Sequence, residues 1–143
     1  MKLLIKENTW LKRYEDADPA TEHGWGNGYV IIPEGHFLHG KHYDILNNFV
    51  SVNGGLTYSD TCKGWEEYND GDWVVGFDTC HAHDTLEMWP KEAVLAETEA
   101  LLNQLKEIDE RDIELLECKE FIEELKEHLG NLEDSLNKIG ELK

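Results

Sequence analysis

From Lys91 to Lys143 the chain contains no proline, and its only glycines there are Gly130 and Gly140. Across the same stretch Val94, Leu101, Ile108, Leu115, Ile122, Leu129 and Leu136 recur at an unbroken interval of seven. A companion seam runs through Thr98 and Leu105 and then, in a different phase, through Cys118, Leu125, Leu132 and Ile139. Apolar residues spaced in this way lie on one face of a helix and form the seam of a coiled coil. The phase changes around Asp109-Glu110-Arg111-Asp112, where neither Gly nor Pro enforces a turn. The pattern therefore predicts one long helix with a local change in winding. Fully helical, the segment would extend about 80 Å, more seam than a small domain covers. The expectation is a homo-oligomer held through 91–143, with a dimer as the default; a hairpin folded at Gly130-Asn131 is the competing arrangement. The pattern leaves the relative direction of the helices open.

Residues 1–90 differ in kind, being rich in glycine, aromatics and short apolar runs. Lys2–Ile5 and Tyr29–Ile32 read as strands, the second bounded by Gly28 and Pro33. Trp73–Phe77 is nearly continuously apolar and is expected to be a central strand buried on both faces. Phe49-Val50-Ser51-Val52 and Leu56-Thr57-Tyr58 flank Asn53-Gly54-Gly55, which predicts a hairpin because Asn and Gly reach positive φ at low cost. The stretch from Asp16 to Gly28 is read as loop. The fold class is α+β, with a small, mainly antiparallel sheet domain in 1–90 followed by a helical segment in 91–143.

The charge narrows the function. Thirty-one acids against thirteen bases give −18 over 143 residues, with the excess spread over both halves. So negative a field repels phosphate backbones and argues against direct nucleic-acid binding. It suits solubility, and also imitation of nucleic acid in a basic groove of another protein. No apolar run approaches the roughly 18 residues of a membrane span, and the N-terminal run is too short for a signal peptide. A soluble, cytoplasmic protein without membrane contact is expected. Cys62, Cys80 and Cys118 lack framework spacing and read as reduced thiols.

The chemistry-bearing residues gather between Asn53 and Asp84. Gly54 and Gly55 permit a tight turn or close approach of a ligand to the backbone. Thr57 and Ser59 share one strand face, with Tyr58 on the other. Asp78 ends an apolar run, where an unpaired carboxylate is costly, and His81 and Asp84 follow in the loop leaving that strand. Gly54, Gly55, Thr57, Ser59, Asp78, His81 and Asp84 are therefore the candidate ligand-binding set. His36, His39 and His42, with Cys80, His81, His83 and Asp84, are metal ligands by type, but no zinc-site spacing accompanies them. No metal is assigned, no cofactor is expected, and no nucleophile motif is present.

Gly28-Tyr29-Val30-Ile31-Ile32-Pro33-Glu34-Gly35-His36, Tyr43-Asp44, Asn53-Gly54-Gly55-Leu56-Thr57-Tyr58-Ser59 and Trp73-Val74-Val75-Gly76-Phe77-Asp78, trailed by His81 and Asp84, resemble a family of small proteins of uncertain function. These are encoded mainly by phages and prophages. The resemblance covers about residues 28–105 and leaves the coiled-coil extension unexplained. The family usually has histidine where this chain has Asn53, and glycine where it has His83. The resemblance implies a phage origin and a location in the host cytoplasm; small accessory phage proteins often counter host defence. The expected function is a non-enzymatic accessory protein that binds a host defence protein or sequesters a small nucleotide-like ligand. The alternatives are a small metal-assisted hydrolase using Asp78, His81 and Asp84, or an oligomeric scaffold.

Overall fold

A computed structural model describes residues 1–9, 23–65 and 68–141. Strands β1 (Lys2–Glu7), β2 (Gly26–Ile32), β3 (Tyr58–Thr61) and β4 (Trp73–Phe77) form a four-stranded antiparallel sheet in the order β1-β2-β4-β3. A single helical turn, α1 (Tyr43–Leu46), precedes β3, and the helices α2 (Lys91–Glu107) and α3 (Glu110–Glu141) follow the sheet. The protein is thus α+β, a small antiparallel sheet followed by a long C-terminal helix. Among the described residues no helix is long and apolar enough to cross a membrane.

The apolar run of β4 is central, as its composition demands: Val74, Val75, Gly76 and Phe77 are all buried between β2 and β3. β2 begins at Gly26, so the loop read up to Gly28 gives way to strand earlier; the part of that reading at 16–22 lies outside the described residues.

One sheet face receives α2. Val94, Thr98, Leu101 and Leu105 form its buried stripe, at helical spacing. Gly28 makes the close approach possible, because a Cβ there would overlap Thr98 Oγ1 and the Phe77 ring. The Thr98 hydroxyl donates to the Val94 carbonyl (2.6 Å), satisfying a polar group inside this contact. On the opposite face, Tyr29, Trp65 and Tyr68 cover Ile31, Cys62 and Val74. Tyr29 lies over Gly76, and the Lys6 ammonium sits 3.4 Å from the Trp65 ring centroid.

Two expectations are corrected. Phe49–Val52 is not a strand, and no hairpin is built around Gly54-Gly55. Phe49 and Val50 instead donate to the Leu46 carbonyl, continuing the turn of α1. Side-chain amides then take the place of a ladder. Gln104 accepts from Ser51 N–H (2.7 Å) and donates to its carbonyl (3.1 Å), and Asn47 does the same for Leu56 (2.7 and 3.0 Å). The backbone is satisfied without a partner strand.

The tail is also not one helix. Ile108 is extended (φ −67°, ψ 129°), and the Asp109 carboxylate accepts the Arg111 N–H (2.9 Å) as a side-chain cap for α3. A cap restarts the helix where no Gly or Pro could announce a break. The compact units are Met1–Ile108 and Asp109–Lys143, so α2 belongs with the sheet and its stripe is covered there. Along α3 the apolar residues Leu115, Ile122, Leu125, Leu129, Leu132, Leu136 and Ile139 are between 47% and 66% exposed.

Candidate functional site

The strand β4 delivers Asp78 to one end of the sheet, and the loop that follows turns back within a few residues. Asp84 N–H donates to the His81 carbonyl (3.0 Å), closing a turn. Across from it, the Gly55 N–H donates to the Val52 carbonyl (3.0 Å), with Gly54 at φ +68° in the third position of the turn. The two turns meet face to face: a Cβ on Gly54 would overlap the His81 imidazole. Gly54 is therefore required both by backbone conformation and by the ring packed on it.

Asp84 is the hub. Its carboxylate is 7% exposed and accepts the His81 N–H (2.9 Å), the His81 ring at Nδ1 (3.2 Å) and the Asn53 amide at both oxygens (3.2 and 3.0 Å). An ionised carboxylate only accepts, so the Nδ1 position carries the proton in this contact. The Asn53 backbone N–H is tied to Glu97 Oε1 of α2 (3.0 Å), which links the turn to the helix. Asp78 sits beside this hub, 30% exposed, with Oδ1 3.7 Å from His81 Nδ1. It accepts the Thr57 hydroxyl (2.8 Å) and the Cys80 N–H (2.9 Å).

The structure thus brings together Gly54, Thr57, Asp78, His81 and Asp84. Gly55, at φ +82°, belongs to the same turn and faces Asn47. The Ser59 hydroxyl is directed elsewhere and accepts the Tyr43 N–H of α1 (3.1 Å). Asn53 and Glu97 are the residues that sequence reasoning missed as site members. The sequence signals for Asn53 were its place beside Gly54-Gly55 and its standing where the resembled family usually has histidine.

The three histidines spaced by three, His36, His39 and His42, each have a local task outside this cluster. His36 Nδ1 accepts the Leu38 N–H (3.2 Å), His39 Nε2 donates to the Gly71 carbonyl (2.8 Å), and His42 caps α1 at Asp44 N–H (3.4 Å). Among the described residues no group of three or more His, Cys, Asp and Glu side chains could hold a metal ion.

The hub explains an unusual backbone. His83 adopts φ +79°, the left-handed region that costs an L-residue roughly 1 kcal/mol. It is held there between His81 and Asp84, whose contacts fix both ends of the turn. Replacing it by Gly relieves that cost against a smaller loss of chain entropy. We expect His83→Gly to raise thermal stability by up to about 1 kcal/mol, and a lower melting temperature would contradict this account of the loop.

Cys80 extends the cluster towards Asn8, whose amide lies 3.3 Å from its sulfur. Burial pushes the thiol pKa up, and the negative charges of Asp78 and Asp84 push in the same direction. Only the thiolate is nucleophilic, so at mildly alkaline pH Cys80 is expected to alkylate more slowly than a free cysteine. Asp78→Asn removes one of the charges and should accelerate the reaction, as followed by mass spectrometry with residue-level mapping; an unchanged rate would remove the charge from the explanation.

Comparison of the chain with protein-family models, with curated proteins and with solved structures finds no match. What the fold and cluster define is a class by architecture alone: an antiparallel sheet covered by α2, with a carboxylate-centred turn pair at one sheet end and a separate apolar-striped helix.

Proposed function

We propose that the protein is a non-enzymatic phage accessory protein that self-associates through α3 and counters host defence by binding a basic surface of a host protein. The observation that carries this reading is what the molecule leaves on offer. The Asp84 carboxylate, one of the three residues a hydrolase reading would use, is nearly buried and fully engaged in holding two turns together. That is a positioning role within the fold, and it takes the Asp84 carboxylate itself out of reach of a substrate. Among the groups that do face outward are many acidic side chains and the stripe of α3.

Four of the acidic groups lie close together. The Glu34 carboxylate lies against Gly71, in the turn that carries Asp70 and Asp72 into β4, and Asp60 is one strand over, opposite Val74. With −18 overall, such a surface attracts a basic partner at long range and discourages phosphate. The same argument favours a protein target over a nucleotide-like ligand, because Asp78 and Asp84 would repel a phosphate at the turn pair. The phage resemblance supplies the biological setting. Both positions that depart from its pattern, Asn53 and His83, fall on the loop pair around Asp84 and are accommodated by it.

The test is plating of phage on bacteria that carry a defence system and produce this protein. The reading predicts that plating efficiency rises, that Glu34→Lys/Asp60→Lys/Asp70→Lys abolishes the rise, and that Asp78→Asn and His81→Ala preserve it. Loss of protection in a folded His81→Ala variant, with the charge-reversed variant still active, would replace this reading by one centred on the turn pair.

A further inference from the structure

The helix α3 is continuous from Glu110 to Glu141, which puts its side chains in one register. With Leu115, Ile122, Leu129 and Leu136 at the a positions, Cys118, Leu125, Leu132 and Ile139 occupy d, and the flanking positions follow by count. Glu114, Phe121, His128 and Ser135 are at g; Lys119, Lys126, Glu133 and Gly140 are at e. The apolar positions are substantially exposed, up to 66% at Leu136, so the chain itself leaves this stripe uncovered among the described residues.

The charges decide what covers it, and in which direction. In a parallel, in-register pair each g residue faces the e residue five positions further along the other helix. Glu114 then meets Lys119 of the second copy, and His128 meets its Glu133. Phe121 meets the aliphatic stem of Lys126, which can cover the ring while its ammonium stays in water. No like-charged pair arises across the seam. An antiparallel pair with the same overlap, Leu115 against Ile139, is centred at Glu127, so residues near the axis meet their own counterparts. That places Lys126 near Lys126 and His128 near His128 at the centre of the seam, where the parallel pair has no like contact, although Lys119 then lies beside Glu133 on either side.

We infer that a second copy of this chain docks on α3 as a parallel, in-register two-stranded coiled coil, with Cys118 of one copy facing Cys118 of the other. The inference rests on the self-association proposed above and adds its geometry. Helix axes in such pairs lie about 8–10 Å apart, which brings facing d-position cysteines within the span a disulfide bridges after small adjustment. Cys118 is exposed in the single chain, so nothing within the described residues shields it. Oxidation by glutathione disulfide would join the two sulfurs, and the two thiol hydrogens and electrons would leave as two molecules of reduced glutathione.

The experiment uses the full chain carrying Cys80→Ser, with the buried Cys62 left in place. Light scattering gives the oligomeric state, and treatment with glutathione disulfide, non-reducing electrophoresis and peptide mapping give the cross-link. The expected result is a dimer that converts almost completely to a Cys118–Cys118 species, a product absent from Cys118→Ser. A dimer that yields no such species overturns the parallel register while leaving self-association standing. A monomer at micromolar concentration overturns both.

Discussion

Replacing Leu125 and Leu132 by Asp is expected to convert the full-length protein to a monomer. Both residues are about half exposed in the single chain and occupy adjacent d positions of α3. A buried Leu contributes roughly 1.5–3 kcal/mol, and a dimer loses four of them in this variant. Because each is already about half buried in the single chain, the loss is at least about 3 kcal/mol, or about two decades in dissociation constant. Four carboxylates placed in an apolar seam add to the loss. The opposing force is repulsion between Glu117, Glu120, Glu123, Glu124 and Glu127 on the helix exterior, screened over about 8 Å at physiological salt. It is the smaller term in the unmodified chain, and raised salt should tighten association. The Met1–Ile108 unit has its own core, so its tryptophan fluorescence should be unchanged in the variant. A persisting oligomer with the substituted seam would move the interface off α3.

Asp84→Ala is expected to destabilise the Met1–Ile108 unit by about 3 kcal/mol. The substitution strands three donors that converge on one nearly buried carboxylate: the His81 N–H, the His81 ring and the Asn53 amide. The same contacts hold His83 in its left-handed conformation, so the turn should relax and release the His81 ring from Gly54. Asp84→Asn keeps one acceptor oxygen but turns an N–H₂ group towards donors, and should fall between the variant and the parent. Near-ultraviolet circular dichroism during thermal unfolding reads this unit selectively, since every tryptophan lies in it. A melting temperature within error of the parent would mean that the carboxylate is not the anchor described here. Thr57→Val, which leaves the hub intact and removes a hydroxyl bonded to the more exposed Asp78, should have a much smaller effect.

The parts of the fold legible in the sequence are those where one face or run is uniformly apolar. β4 could be placed as a central strand because Trp73–Phe77 offers no polar face, and β1 and β2 by their apolar, β-branched content. The tail was legible as helix but not as two helices, because the break at Ile108 depends on the side chain of Asp109 rather than on a helix breaker. The seven-residue repeat concealed this: Val94 and Leu101 continue the same arithmetic as Leu115 and Ile122, yet the first pair is buried on the sheet and the second is exposed. Phe49–Val52 alternates like a strand, and its true partners are the amides of Gln104 and Asn47, one of them far along the chain. In the candidate site, Asp78, His81 and Asp84 were legible together because one short loop carries them. Asn53 was not, since an amide that bonds a carboxylate thirty-one positions away leaves no local trace. Ser59 shares a strand face with Thr57, but its hydroxyl is drawn to the first turn of α1.

The central claim is that this chain works as an associated, acidic binding protein whose carboxylate cluster serves the fold. Its most direct test is the mass of the full-length protein in solution, by light scattering at micromolar concentration and physiological salt. The account predicts a particle of twice the 16.5 kDa chain mass, falling to the chain mass in Leu125→Asp/Leu132→Asp. A full-length protein that stays at 16.5 kDa under those conditions would contradict it.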